Sequence, residues 1–403
     1  MEERDLYGAV GSVRESNTGR VIGTLTLLGV TSRAELARRT GLARSTVSSI
    51  VAELESEGLV VPHEGKNGRP ASGSGRPPAL IALNPSARLA AGIDFGKRHL
   101  AVAVADLSHT VLAERRREMP DDYAAEDGFA AAAELTQRVL EEVGADRDRV
   151  LGVGMGLPGP VHLRGTLGSA TILPGWAGVR AADEMSRRLG MPVQVENDAN
   201  LGALAEYLWG AGAGCDSLVY LKVATGIGAG LVIGGRLYRG AGGTAGEIGH
   251  TIMDETGNVC RCGNRGCLET YAGTAAIVGL LQRSLGTDME PEQVLERARD
   301  GDVACRRVLA DAGRHIGVAV ANLCNLFNPA RIVVGGSIAQ AGGIVLDPMH
   351  ESVRLRAIAS AAEDVQIVPG ELGERAELLG AVALVLQQAG PRVAAGRESM
   401  STN

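Results

Sequence analysis

The stretch Leu89-Ala-Ala-Gly-Ile-Asp-Phe-Gly-Lys-Arg-His-Leu-Ala-Val-Ala-Val-Ala-Asp-Leu107 reads as a strand from Leu89 to Phe95, a turn at Gly96 and a second strand from Leu100 to Leu107, with a third strand starting at Val111. Short apolar runs bounded by turn residues are the mark of buried strands. A helix at about 124–144 and a strand, Leu151 to Gly159, ending in a glycine-rich turn complete an α/β module. A comparable order recurs: Ser217 to Val223, Gly226 to Gly234, Arg236 to Tyr238, helices, then Arg331 to Val334 before Gly335-Gly336. The duplicated β-β-β-α unit predicts two lobes, residues 89–210 and 211–389, with a cleft between them, and clefts of this kind bind ligands.

Upstream the grammar is helical. Residues 1–17 lack periodicity and are expected to be disordered, as is the tail 390–403. Val21, Ile22, Leu25 and Leu28 share a helical face that Gly29 ends. Ser32 with Glu35 forms a capping-box pattern opening a helix through Leu36 and Ala37 to Thr40, stopped by Gly41. A third helix from about Arg44 buries Val47, Ile50, Val51 and Leu54, and Gly58 stops it. Two short helices joined through a glycine make a helix-turn-helix pattern. Removing the buried stripe leaves Arg44, Ser45, Thr46, Ser48 and Ser49 exposed at the end of the helix that enters a major groove. Short hydroxyls let the backbone approach the DNA, and the helix N-terminus favours anions. Glu53, Glu55 and Glu57 mark the end that must point away.

Strand Leu59 to Val61, a Gly/Pro/Ser-rich loop and a returning strand Ala79 to Leu83 resemble a wing, which sets the head domain at 18–84. The tripeptide Gly-Arg-Pro occurs in that loop at 68–70 and 75–77, where a stiffened backbone would place Arg69 and Arg76 in a minor groove. A solvated linker and a protein-docking bundle are the competing readings of the loop and of the three helices. The cluster Arg33, Arg38, Arg39, Arg44 favours double-stranded DNA.

The whole chain has 403 residues, 45% apolar and 22% charged, which accommodates two or three packed domains and excludes a disordered chain. With 3% aromatic residues, the core must be filled by Val, Leu, Ile and Ala. No apolar run approaches a membrane span, and the start Met1-Glu-Glu-Arg-Asp is not a signal peptide, so a cytoplasmic protein with no membrane partner is expected. Residues 1–92 carry 11 basic and 9 acidic side chains against 29 and 38 in the rest, the balance of a small module for an anionic partner on an acidic body. Cys260, Cys262 and Cys267 cluster while Cys215, Cys305 and Cys324 are scattered, a pattern of metal binding rather than of disulfides. His250 with Cys260, Cys262 and Cys267 offers one imidazole and three thiolates, the donor set of a closed, structural Zn2+ site in the loop 250–267. Three unliganded buried cysteines are the bland alternative.

Glu196-Asn197-Asp198-Ala199-Asn200 sits where the strand Val193-Gln-Val195 gives way to a helix. Asn and Asp at a strand end facing a cleft can read a pair of vicinal hydroxyls, and equally can cap the helix.

The sequence Gly246-Glu-Ile-Gly-His250 followed by Cys260-Arg-Cys262-Gly-Asn-Arg-Gly-Cys267-Leu-Glu269 resembles the ROK family of bacterial sugar-responsive repressors and sugar kinases, and the resemblance runs from about residue 18 to 388. A winged helix-turn-helix ahead of it is the arrangement of the repressor branch. The resemblance implies an actin/hexokinase-like, duplicated ribonuclease H-like α/β body behind an all-α winged head. It implies that Asn197, Asp198, Glu247, His250 and Glu269 bind the sugar, that Asp198 is the general base in a kinase, and that the zinc loop braces the sugar pocket and a helix that moves on ligand binding. His250 would touch the sugar with one ring edge and the metal with its other nitrogen.

The nucleotide half departs from the family. ROK kinases carry Asp-x-Gly-Gly-Thr at the first phosphate turn, whereas this chain has Asp94-Phe95-Gly96-Lys97-Arg98-His99, so long cations are expected to fill the space of the phosphate loop and ATP/Mg2+ is not an expected cofactor. Thr225-Gly226-Ile227-Gly228-Ala229-Gly230 and Gly335-Gly336-Ser337 match the second phosphate loop and the adenosine region. Gly156-Leu-Pro-Gly159 resembles a sugar-facing loop; Leu173-Pro-Gly-Trp176 could bring an indole to the sugar or be ordinary packing, and Thr171-Ile172 stands where kinases often have an Asn. The reading that unites these features is a sugar-responsive repressor with no catalytic residue, binding a palindromic operator as a homodimer or dimer of dimers and answering to a sugar or sugar phosphate. Helices near 303–328 and 377–389 are its expected assembly elements. An ATP-dependent sugar kinase with Asp198 as base is the alternative, and an activator on the same operator a third reading.

Overall fold

A computed structural model describes residues 13–63, 79–162, 165–167, 173–176, 178–286 and 288–387. No helix among them is long and apolar enough to cross a membrane. The expectations for the chain ends 1–12 and 388–403, for the wing loop 64–78 with Arg69 and Arg76, and for Thr171-Ile172 lie outside these residues.

The head consists of α1 (Val13–Leu28), β1 (Thr31–Ser32), α2 (Arg33–Thr40), α3 (Arg44–Ser56), β2 (Val60–His63) and β3 (Leu80–Leu83). Helix α1 starts five residues before the expected Thr18. Val13–Asn17 holds neither Pro nor Gly, and extending an existing helix backwards costs little even where no apolar stripe marks it. Ser32 caps α2 by accepting from the Glu35 amide at 3.2 Å, and Gly41 ends it at φ 68°. The Glu35 carboxylate is engaged by Arg38 and Arg39. The two-residue β1 pairs with β3, which pairs with β2, in a small antiparallel sheet.

The first lobe runs β4 (Leu89–Phe95), β5 (His99–Asp106), β6 (Val111–Glu118), α4 (Ala125–Glu142), β7 (Val150–Leu157), α5 (Ala181–Leu189), β8 (Val193–Asn197) and α6 (Asp198–Trp209). The second runs β9 (Ser217–Val223), β10 (Ile227–Ile233), β11 (Arg236–Tyr238), α7 (Glu269–Ala272), α8 (Thr274–Leu285), α9 (Pro291–Arg299), α10 (Val303–Phe327), β12 (Arg331–Gly335), α11 (Gly343–Arg356), α12 (Ala359–Asp364), β13 (Gln366–Pro369) and α13 (Ala376–Gln387). Strand orders β6-β5-β4-β7-β8 and β11-β10-β9-β12-β13 are the same topology, with the first strand of each unit antiparallel to the second and parallel to the fourth. The repeat seen in the sequence is thus a repeat of sheets. Strand β4 is buried throughout, which is why it reads as an unbroken apolar run with Asp94 as the exception.

The two helices expected to drive assembly are not partners. Helix α10 lies along α11, while α13 is buried for nearly its whole length against α6 and the first sheet. Its mean character is apolar all round, which marks a core helix rather than a surface one. A Cβ on Gly154 of β7 would stand 1.9 Å from the Ala381 carbonyl, so glycine is what lets α13 lie directly on the strand backbone. The far end of α13, Val382, Val385 and Leu386, shares one apolar cluster with Ala90, Ala105 and Leu107 of the first lobe and with Val21, Leu25, Leu36, Val51 and Leu54 of the head.

Candidate functional site

On the first lobe the candidate residues lie at the junction of β8 and α6. Asn197, not Asp198, is the N-cap: its Oδ1 accepts from the Asn200 amide at 3.0 Å, and its Nδ2 donates to the Gly159 carbonyl at 2.9 Å and to Asp198 Oδ1 at 3.1 Å. The Gly156–Gly159 turn is thereby tied to the site. Asp198 Oδ1 also accepts from the Ala199 amide at 2.8 Å, and Oδ2 takes the Lys222 ammonium at 2.9 Å. Behind them Glu196, buried, accepts from Asn200 Nδ2 at 2.9 Å and from Arg239 Nε of the second lobe at 2.5 Å.

The second-lobe wall hangs on β10. The Ala229 amide donates to the Gly246 carbonyl at 2.8 Å, and Cβ atoms on Gly246 and Gly249 would come within 1.8 Å of the Ala229 carbonyl and 2.2 Å of the Ile227 carbonyl. Close backbone contact at both glycines therefore fixes Glu247 and His250 beside the strand. Glu269, at the start of α7, accepts from the Ile227 amide at 3.1 Å and from Arg261 at 2.7 Å. Burial, and then the charges of Asp198 and Glu269, push the Glu247 carboxyl up to about 7. Asp198 of the first lobe and Glu247 and Glu269 of the second thus lie near enough for their charges to couple.

The metal-ligand expectation has a geometric counterpart. His250 and the thiols of Cys260, Cys262 and Cys267 place one ligand atom each within 4.8 Å of one another. Cys262 Sγ is 3.6 Å from Cys267 Sγ, and Cys260 Sγ is 3.6 Å from His250 Nδ1. Zinc–sulfur bonds of about 2.3 Å in a regular tetrahedron set sulfur atoms about 3.8 Å apart, so the four donors fit a tetrahedral ion. Bridges Ile252–Cys267 and Val259–Arg265 and the Cys260 amide on Asn264 O at 2.7 Å close the knuckle. Nδ1 of His250 is thus the ring nitrogen turned to the thiols.

The first phosphate turn is filled, but not by the residues expected. His99 folds back under Gly96, whose Cβ would meet the imidazole at 2.1 Å, and His99 Nε2 lies 2.8 Å from Asp94 Oδ2. Burial would raise the Asp94 carboxyl, yet the hydrogen bond and charge of His99 hold it below its ordinary value. Lys97 and Arg98 reach outward instead, toward Asp121, and Arg98 also bonds Glu290 of the second lobe at 2.9 Å. Long cations prefer water over a small buried turn, and the flatter imidazole takes the space. The Trp176 indole does not face a sugar: it is 1% exposed and packs edge-on to Phe95, Phe129 and Tyr123.

Three charged residues of this region, Arg239, Lys222 and Glu377, were not singled out from the sequence. Lys222 bridges Asp198 Oδ2 and, at 3.4 Å, Glu377 Oε1 of α13. Burial would lower its pKa, but Asp198, Glu377 and Asp94 outweigh it and hold the ammonium charged, with a pKa above the ordinary lysine value. The available signal was a lysine, one of three in the chain, inside an apolar strand.

On the head, Arg44, Ser45, Ser48 and Ser49 are exposed and Thr46 is half-buried, while Val47, Ile50, Val51 and Leu54 turn inward. The first turn of α3 has no side-chain cap, leaving backbone amides for an anion. Of the expected arginine cluster, Arg33 is paired with Glu55 and Arg38 and Arg39 with Glu35. Arg44 has no such partner among the described residues.

Comparison with known proteins bears on this arrangement. Residues 20–61 match a winged helix-turn-helix DNA-binding family and residues 90–388 the ROK family. A xylose repressor of Caldicellulosiruptor bescii is 28% identical over 93% of this chain and 96% of its own. The DNA-binding transcriptional dual regulator NagC of Escherichia coli is 30% identical over 94% of each chain. The crystal structure of a ROK family transcriptional regulator, a homologue of the E. coli MLC protein, superposes with a TM-score of 0.81 at 27% identity, covering 96% of this chain and 98% of that one. The chain belongs to the ROK family and, with a winged helix-turn-helix ahead of its two lobes, to the transcriptional-repressor branch of that family.

Proposed function

We propose that the protein is a transcriptional repressor, not an enzyme, that binds operator DNA through α3 and is released by a sugar held between Asn197-Asp198 and Glu247-His250-Glu269. What supports the reading is the coupling of Asp198 of the first lobe with Glu247 and Glu269 of the second, in a chain whose turn at Gly96 is filled by His99 and whose Arg44 has no ion-pair partner among the described residues. A sugar offers hydroxyls that accept from a neutral Glu247 and donate to Asp198, and it closes the lobes around itself. Relatives named xylose repressor and N-acetylglucosamine repressor make free aldoses and their N-acetylamino forms the first candidates, with sugar phosphates next. The His250–Cys260–Cys262–Cys267 cluster holds a structural Zn2+ that fixes His250 and Glu269. Operator binding as a homodimer places two α3 helices about one duplex turn apart, which calls for a palindromic site, with Arg69 and Arg76 of the wing on the flanking minor groove.

The test is fluorescence polarisation of the protein on its own promoter DNA at fixed salt, titrated with D-xylose, D-glucose, N-acetyl-D-glucosamine and their phosphates, with and without Mg-ATP. Specific binding that one sugar relieves without ATP is the expected result. No specific complex, with ATP consumed in the presence of a sugar, sinks the proposal in favour of a kinase using Asp198 as base.

A further inference from the structure

The cleft and the DNA head are far apart in sequence, and α13 touches the structures that separate them. Its first turn carries Glu377 and packs Ala376 against Tyr220 and Val333 of the second sheet. Its middle lies against α6 and the first sheet: a Cβ on Gly380 would stand 2.0 Å from the Leu201 carbonyl, and one on Gly92 would stand 2.8 Å from the Leu378 carbonyl. Its last turns, Val382, Val385 and Leu386, belong to the apolar cluster of the head. Backbones in such direct contact have no slack, so α13 moves with α6, β4 and β7 or not at all.

At the near end sits Lys222. Its ammonium is shared between Asp198 Oδ2 at 2.9 Å and Glu377 Oε1 at 3.4 Å, and Glu377 Oε1 also accepts from the Tyr220 hydroxyl at 3.1 Å. Asp198 Oδ1 is already occupied by Asn197 Nδ2 and the Ala199 amide. A sugar hydroxyl donating to Asp198 must therefore share Oδ2 with Lys222 or displace it. We infer that Lys222 and Glu377 are positioning residues that carry the state of the sugar site to α13 and through it to the DNA head. The inference rests on the proposed sugar site. A ligand that draws Asp198 toward itself leaves the ammonium to Glu377, and the first turn of α13 follows; the resulting two arrangements of one rigid helix are the bistable element that linkage between two sites requires.

The test uses the full chain, its promoter DNA and the three free sugars named above. Hydrogen exchange of α13 and α1 is measured with and without saturating sugar, and the ratio of operator dissociation constants with and without sugar is measured for the natural protein, Glu377→Gln and Lys222→Met. The expected result is that sugar alters exchange in both helices of the natural protein. In Glu377→Gln, which keeps shape and the Lys222–Asp198 pair, sugar and operator each still bind, but the ratio falls by about tenfold toward one. Lys222→Met is expected to do the same; where it fails to fold, Glu377→Gln decides. A Glu377→Gln protein with the natural ratio overturns the relay, as does sugar binding by the natural protein with no change in α13. If the natural protein binds none of the three sugars by calorimetry, the sugar reading fails first and takes the relay with it.

Discussion

The duplication places two hairpin turns at equivalent positions, β4–β5 and β9–β10, and the chain has treated them differently. In the first, the His99 imidazole occupies the hollow beneath Gly96, and the Tyr123 hydroxyl closes on the Gly96 carbonyl at 2.9 Å. In the second, Ala224-Thr225-Gly226 stays small; the Thr274 hydroxyl and amide bond the Ala224 carbonyl at 2.7 and 3.1 Å, and the Ile227 amide is taken by Glu269. One turn is plugged by a half-buried imidazole, and the other is the scaffold that holds Glu269 of the proposed sugar site. A fold position does not decide function by itself; the side chains that fill or spare it do.

That contrast is broken most severely at the metal cluster, because Glu269 follows Cys267 by two residues and braces the second turn. Replacing Cys267 with Ser is expected to remove sugar binding by more than about 100-fold and about 3 kcal/mol or more of stability, read by calorimetry and thermal melts, since a structural metal site is part of the folding free energy. A variant that loses metal by elemental analysis yet binds sugar normally would separate the cluster from the wall.

Asp198→Asn comes next. It leaves the half-buried Lys222 ammonium without its nearest anion but still near Glu377, so the loss lies below the about 3–5 kcal/mol of breaking a fully buried pair. Reduced melting temperature with weaker sugar binding is expected. Unchanged stability would mean that Glu377 alone satisfies Lys222.

Much of this was legible before any coordinates. The paired strands showed the duplication, Ser32 and Gly41 showed the ends of α2, and the spacing of His250, Cys260, Cys262 and Cys267 showed a donor set, because each signal is local. What was not legible depends on partners distant in sequence. Nothing near Lys222 announces Glu377, and an apolar helix such as α13 looks the same whether it assembles subunits or fills a core. The first turn is the instructive case: the sequence shows that small residues are missing at 97–99, while only packing decides that His99 enters and Lys97 and Arg98 leave.

The third expectation concerns the acidity of the second wall. Glu247 has a folded pKa near 7 against a reference of 4.5, so the folded state holds a proton that the unfolded chain has lost between those values. Its stabilising contribution is complete below about 4.5, declines as pH rises and is gone above about 7, up to about 3 kcal/mol in all. Denaturant midpoints should therefore fall from pH 5 to pH 8, and Glu247→Gln should flatten the fall; an equal slope in the variant would assign it elsewhere.

Arg44→Ala serves as the control outside both turns. Operator binding should weaken by about 1–3 kcal/mol if Arg44 reads a base, or nearly uniformly across sequences with the salt slope reduced by about one if it holds a phosphate. Sugar affinity should not change, and a loss there would mean that the head was disturbed as a whole.

The smallest effect is expected at the first turn. His99→Ala reopens the space under Gly96 and removes the partner of Asp94, a carboxylate that is 2% exposed and whose Oδ1 has no hydrogen bond among the described residues. A stability loss of about 1–3 kcal/mol follows from leaving a buried acceptor unpaired. Because His99 holds the Asp94 pKa down, that contribution is present above the ordinary carboxylate range and is lost on acidification, so wild type and variant should converge in stability at low pH. Sugar and operator affinity should both stay within about twofold, since His99 touches neither wall nor head. Thermal shift with Mg-ATP then completes the comparison of the two turns. No stabilisation of either protein means that the imidazole serves only to pack the turn, and its removal exposes nothing that still holds a phosphate. Stabilisation of the variant alone means that His99 plugs a turn still able to cradle one.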